Sequence, residues 1–322
     1  MAHMDVLVSG ILLHHRYKIK EILGRGGTGI VYSAYDMVQN MEVAVKELFP
    51  YGCCVRDFDQ KSICPSSHNA NLQYQHFREN FIREAKLMSD FSKCPYIPAL
   101  YDLFEENNTW YYAMELLKGI TLRQYLRFCG YPLLEKDVFQ IATKVLIILS
   151  YMHQKNIIHR DICTDNIFLT ESGGALLIDL GSAISYTDTK SILLMIRKGY
   201  APPEQYRADG FLGPWTDIYA LGAVMYEALT QKKVPESVER QLEDKIIPPK
   251  LINRNITENM NSAILKALSL NEKKRFQTPE EFHEYLRTGN NAMGRIMKYV
   301  CMLIWFVLLV CGCIFILFVS WN

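Results

Sequence analysis

An α+β fold of two lobes, the first β-rich and the second helical, with a single apolar span behind them, is what this 322-residue sequence predicts. Three observations carry that expectation. Apolar and polar residues alternate around turn signals between Tyr17 and Leu48, as antiparallel strands require. After Gly119 the spacing becomes that of amphipathic helices separated by Pro and Gly. Finally, Tyr299 to Trp321 carries no charged residue.

In the first lobe, Tyr17 to Leu23, Gly29 to Tyr35 and Met41 to Leu48 read as three strands, and Ala99 to Phe104 and Trp110 to Leu116 as two more. Between these groups Phe77, Phe81, Ala85, Met88 and Phe91 keep helical spacing, with Glu84 one turn before Met88. From Leu48 to about His76 there is no periodicity, and the length exceeds an ordinary connection, so this stretch reads as a polar insertion. It holds Cys53, Cys54 and Cys64, part of a total of nine cysteines that also includes Cys94, Cys129 and Cys163. Such a density does not build a disulfide-stapled domain, and the thiols read as reduced. A zinc cluster of Cys53, Cys54, Cys64 and His68 is the weaker reading, because adjacent cysteines suit a tetrahedral site badly.

The second lobe shows helical patterns over Leu122 to Phe128, Lys136 to Gln154, Trp215 to Thr230 and Thr257 to Ser269. The change of class sets the boundary near Leu117, giving an N-terminal extension over 1–16, a first lobe over 17–117 and a second over 118–288. A short basic linker over 289–298 then leads to the span at 299–321, which the sequence predicts to be a transmembrane helix. About 23 residues at a rise of about 1.5 Å suit a bilayer core of about 30 Å. Arg287, Arg295 and Lys298 precede the span, so the positive-inside rule places both lobes in the cytoplasm and the protein in the cell membrane as a single-pass species. Met1 to His15 has no secretory-leader pattern, and the formal charge of +1 supplies no field for nucleic acid, which is not an expected partner.

Chemistry enters at four places. Gly24-Arg25-Gly26-Gly27-Thr28-Gly29 precedes Ile30 and Val31; without Cβ atoms its backbone N–H groups can approach phosphates, although glycines in a hairpin also serve as plain turn formers. In Val43-Ala44-Val45-Lys46, strand alternation puts Ala44 and Lys46 on one face, with Glu84 as a candidate ion-pair partner for the lysine. His159-Arg160-Asp161-Ile162-Cys163-Thr164-Asp165-Asn166 and the following Asp179-Leu180-Gly181 bring a base and two oxygen donors for magnesium into one region, which reads as phosphoryl transfer. Asp and Asn also cap turns, and it is their joint spacing that singles them out.

Together with Ala201-Pro202-Pro203-Glu204, these motifs stand in protein-kinase order. From about Tyr17 to Leu286 the chain resembles that family, and within it the membrane-associated bacterial Ser/Thr kinases of eukaryotic-like type. The resemblance implies a two-lobed kinase fold, ATP and Mg2+ as cofactors, and transfer of the γ-phosphate to Ser/Thr hydroxyls of cytoplasmic protein substrates. It also implies roles: Asp161 as base, Asn166 and Asp179 on the metal, and Lys46 held by Glu84. Gly24, Arg25, Gly26, Gly27, Thr28 and Gly29 would cover the phosphates; Val31, Ala44 and Phe168 would line the purine, with Met114 as gatekeeper and Glu115 and Leu117 in the hinge. Glu204 and Arg275 would form a buried ion pair, and Asp217 would anchor the loop that carries Asp161.

One departure stands out: Cys163 lies where the family carries a lysine on the transferred phosphate. Arg197 is a candidate replacement cation; alternatively Arg197 and Lys198 form a basic bump that docks acidic substrates. Cys163 itself reads as inert, since Asp161 and Asp165 disfavour a thiolate. Tethering would favour self-association and trans-autophosphorylation, with Ser182, Ser185, Tyr186, Thr187, Thr189 and Ser191 as candidate acceptors and Arg160 as a cation to receive the phosphate. The alternative reading is a nucleotide-binding pseudokinase scaffold at the membrane, and a weaker one a kinase acting on tyrosine or a small molecule.

Overall fold

A computed structural model describes residues 5–186, 196–207 and 209–289. The predicted linker beyond Gly289, the span at 299–321 and the candidate acceptors Thr187, Thr189 and Ser191 lie outside these residues. Among the described residues no helix is long and apolar enough to cross a membrane.

The alternating segments of the first lobe form a six-stranded antiparallel sheet. Its strands are β1 (Leu12–Leu13), β2 (Tyr17–Arg25), β3 (Gly29–Asp36), β4 (Met41–Leu48), β7 (Leu100–Glu106) and β8 (Thr109–Glu115), in the spatial order β1-β2-β3-β4-β8-β7. Register decides which side chains share a face. Val31 stands opposite Lys46, and Ala44 opposite Met114, so Val31, Ala44, Lys46 and Met114 lie on one side of the sheet. Tyr32 opposes Val45, and Glu47 opposes Tyr111, which puts Glu47 with both tyrosines on the other side. Neighbours Lys46 and Glu47 thus serve opposite faces.

The segment read as a polar insertion is ordered and packed. Its middle forms a hairpin of β5 (Cys54–Arg56) and β6 (Ile63–Pro65), and helix α1 begins at His68, well ahead of the predicted start at Phe77, and runs to Asp90. Ser67 caps that helix by accepting from Ala70 N at 3.1 Å. Ala70 and Tyr74 carry the buried stripe back toward this cap, but exposed Leu72 and its polar neighbours between them blur the period in the sequence. Cys53 and Cys54 are buried rather than part of a polar loop. Among the described residues, no set of His, Cys, Asp and Glu converges to hold a metal, so the zinc reading finds no site there.

Arg56 welds the hairpin to the sheet. Its guanidinium forks onto Glu47 at 2.6 and 2.8 Å, with side chains 2% and 0% exposed. Tyr32 and Tyr111 donate their hydroxyls to the same carboxylate at 2.8 and 2.9 Å. Four-sided satisfaction of this kind is what allows a charge to sit in the interior of so small a lobe.

Helices make the second lobe: α2 (Leu122–Cys129), α3 (Glu135–Gln154), α4 (Pro214–Thr230), α5 (Ser237–Leu242), α6 (Pro249–Ile252), α7 (Glu258–Ala267) and α8 (Pro279–Thr288). Short strands β9 (Gly119–Thr121), β11 (Ile167–Thr170) and β12 (Ala175–Leu177) pair with one another, and β10 (Ile157–Ile158) pairs with β13 (Ile184–Ser185). α4 is buried along most of its length, and α3, α6, α7 and α8 pack on it. The expected ion pair is present, with Arg275 donating to Glu204 at 2.6 and 3.1 Å. In urea titrations, Arg56→Ala and Arg275→Ala are each expected to cost about 3–5 kcal/mol, because each strands a buried carboxylate; a loss under about 1 kcal/mol would show the pair to be solvated.

Candidate active site

Lys46 and Glu84 meet. Nζ lies 2.8 and 2.9 Å from the two Glu84 oxygens, and the Tyr112 hydroxyl donates to Oε1 at 3.0 Å. Burial alone would drive the Lys46 ammonium toward losing its proton, but Glu84, Tyr112 and Asp179 outweigh it and hold the lysine above its ordinary range. The contact needs α1 to lie against β4, and the position of α1 is fixed at its near end by Tyr74, whose hydroxyl reaches Thr109 Oγ1 at 3.1 Å. Gly181 brings the Asp179-Leu180-Gly181 turn beside it: a Cβ there would stand 3.1 Å from Asp179 Oδ1 and 3.4 Å from Glu84 Oε2.

Above this pair the glycine loop closes the β2–β3 hairpin. Gly26 N donates to Gly29 O at 2.8 Å, while the carbonyls of Gly27 and Thr28 accept from Tyr51 N and Phe49 N at 3.0 and 3.1 Å. Gly29 is required by close approach, since a Cβ would fall 2.5 Å from Glu47 O. Val31, Ala44 and Met114 share the Lys46 face, and Phe168 on β11 is half-buried. Glu115 N is tied to Ala99 O at 2.8 Å, and Leu117 follows at the lobe junction.

The 159–166 loop is held from behind by Asp217 of α4. Its carboxylate accepts from His159 N and Arg160 N, both at 2.9 Å, and lies 2.8 Å from His153 Nε2. Burial opposes the Asp217 charge, but these partners outweigh it and keep the carboxyl below the usual range. Arg160 adopts a left-handed backbone, φ 67°, and its Nε donates to Ser182 O at 2.7 Å. Burial, and then the like charge of Arg83, pull the Arg160 guanidinium down to about 10.

At the front of the loop, Asn166 Nδ2 donates to the Asp161 backbone carbonyl at 2.8 Å and to Oδ2 at 2.9 Å. Arg197 forks onto the same carboxylate, Nε to Oδ1 at 2.8 Å and Nη2 to Oδ2 at 2.7 Å. Its charge also acts to lower the pKa of both Cys163 and Asp179. Cys163 is fully buried, and its thiol is pushed up to about 12, chiefly by burial and then by Asp161. Desolvation, rather than the neighbouring carboxylates expected from the sequence, is the larger cause.

Sequence reasoning missed a polar hub behind Cys163. Arg123 on α2 donates to Glu227 Oε1 at 2.7 Å and to the Tyr200 hydroxyl at 2.7 Å, and lies 3.4 Å from Asp165. Tyr200 also bonds Thr164 Oγ1 at 3.0 Å and donates to Glu227. This hub ties the 159–166 loop to the segment carrying Arg197. Its members come from four distant stretches with no shared motif, so no linear signal announces it.

The chain matches the protein kinase domain family over residues 17–286. It is 31% identical over 299 residues to the serine/threonine-protein kinase PrkC of Bacillus subtilis, a match covering 89% of this chain and 42% of that protein. A serine/threonine-protein kinase PknA of Nostoc is 33% identical, covering 86% and 48%, and PknB of Mycobacterium tuberculosis 31%, covering 87% and 44%. The chain therefore spans less than half the length of these relatives. Among solved structures, one titled PpkA-294 apo form superposes with a TM-score of 0.78 at 31% identity, covering 88% of this chain and 99% of the other.

Brief iodoacetamide treatment of the folded protein, read by peptide mapping, is expected to leave Cys163 unmodified while half-buried Cys64 and Cys129 react. Labelling of Cys163 at the rate of Cys64 would contradict its burial.

Proposed function

The chain belongs to the protein kinase domain family, and on that footing we propose that it is a Ser/Thr protein kinase that uses ATP and Mg2+. The observation that carries the reading is the Lys46–Glu84 ion pair, formed in the same molecule that aligns Asp161 and Asn166. The residues fit the nucleotide and the metal. Lys46, held charged by Glu84, supplies a fixed cation for phosphates, and Asn166, whose amide nitrogen is committed to Asp161, retains a carbonyl oxygen that with the Asp179 carboxylate suits a hard cation. Bound Mg2+ would neutralise phosphate charge.

Within this reading Lys46 holds the nucleotide phosphates, and Glu84 keeps its ammonium in place. Asp161 orients the substrate hydroxyl and takes its proton. Val31, Ala44, Met114 and Phe168 line an apolar slot for the base, with backbone groups of the Glu115–Leu117 hinge beside it. Arg197 stands in for the lysine that Cys163 replaces, its fork turned from Asp161 toward phosphate oxygens as substrate enters. The same fork also favours a second reading, a nucleotide-binding scaffold in which Arg197 keeps the base occupied.

Residues 299–321 would anchor the lobes to the cell membrane with the kinase in the cytoplasm, which would favour phosphorylation between neighbouring copies. Protein substrates and a second copy of this chain are the proposed partners.

Full-length protein in liposomes with labelled ATP is expected to transfer label to itself and to a generic Ser/Thr substrate, and Asp161→Asn and Asp179→Ala to abolish it. Aspartate-independent or absent label would favour the scaffold. For Arg197→Ala, a fall in kcat of about 10²-fold or more at saturating ATP is expected, the scale of one lost transition-state contact; an unchanged kcat would leave Arg197 a docking residue.

A further inference from the structure

Arg25 is the last residue of β2, set between Gly24 and Gly26 at the edge of the glycine loop, and its guanidinium is anchored. Nη2 donates to Asp5 Oδ2 at 2.9 Å, and the group lies 5.7 Å from the Phe49 ring centroid and 5.4 Å from that of Tyr51. The backbone runs the same way, with Phe49 N and Tyr51 N bonded to the carbonyls of Thr28 and Gly27. Asp5 is itself fixed at its other end, where its carbonyl accepts from Arg56 Nη2 at 2.9 Å, and Arg56 is the buried partner of Glu47. Asp5 belongs to the N-terminal extension and Tyr51 to the insertion, so two segments outside the phosphate-binding motif converge on its one long side chain.

We infer that Asp5 and Tyr51 are positioning residues for the nucleotide, acting through Arg25 to hold the glycine loop in the shape that receives phosphates. The inference rests on the ATP-dependent reading above. A glycine-rich turn loses more conformational freedom on ordering than any other sequence. Contacts that order it before the ligand arrives remove that cost from binding. Arg25 and Asp5 are 35% and 29% exposed at their side chains, so the pair is screened and its effect is a matter of a few-fold. Stacking on Phe49 and Tyr51 adds to it.

The test uses the full chain, with ADP·Mg2+ as the calorimetric probe and KM measured separately for ATP and for a protein substrate. Asp5→Asn removes the charge but keeps the carbonyl that Arg56 needs. It is expected to weaken ADP binding and raise the KM for ATP by about three-fold while the KM for the protein substrate stays put. Asp5→Glu should restore both, and Tyr51→Ala should shift the same pair in the same direction. Arg25→Gln should reproduce the loss, and adding Asp5→Asn to it should cost nothing more. Wild-type ADP affinity in Asp5→Asn, strictly additive losses in the double variant, or a parallel change in both KM values with a lowered Tm would each overturn the positioning role. Failure of the wild type to bind ADP would instead remove the ATP reading, and this inference with it.

Discussion

The distance between Lys46 and Glu84 is the constraint on which the site turns. The two residues sit on different elements, and at 2.8 Å the ion pair tolerates little movement of α1 along β4, since one residue of helix already advances about 1.5 Å. What keeps α1 there is on the next residue along. Glu47 faces the other side of the sheet, where Arg56 of the β5–β6 hairpin is buried against it, and the hairpin in turn packs on α1. One side of β4 carries the candidate chemistry and the other carries its brace. The alternation of a strand makes both possible within two residues.

The second lobe uses the same device with different parts. Asp217, buried in α4, accepts two backbone N–H groups of the 159–166 loop and so sets a turn that includes the left-handed Arg160. Arg123, Glu227, Tyr200 and Thr164 then fix where the Arg197–Tyr200 turn lies. Arg197 reaches Asp161 as a result. A buried charge surrounded by designated donors is costly to strand, so each of these carboxylates ties its donors to one place.

That arrangement recasts the substitution at Cys163. A neutral, buried thiol supplies no cation, but a guanidinium from a different segment stands on the neighbouring carboxylate. Charge at a site is a property of space rather than of chain position. Arginine, with its planar fork and permanent charge, can grip that carboxylate from a segment far along the chain.

Much of this was legible in the residues alone. The five main strands of the first lobe and the four long helical patterns of the second appear where alternation and helical spacing put them, because those periods record directly which face is buried. The order of the glycine loop, Lys46, Asp161, Asn166 and Asp179 also pointed to one chemistry, since each motif is local. The start of α1, the hairpin at 54–65, the Arg56–Glu47 weld and the Arg123 hub were not legible. Short strands leave too few residues to show a period, and a polar pair between distant segments leaves none. The sequence by itself thus determined the class of fold and the cast of candidate residues, because these follow from local pattern. Only the tertiary structure decided which cation stands at Asp161 and what holds the loop and helix in place, because those depend on charges brought together from segments far apart in the chain.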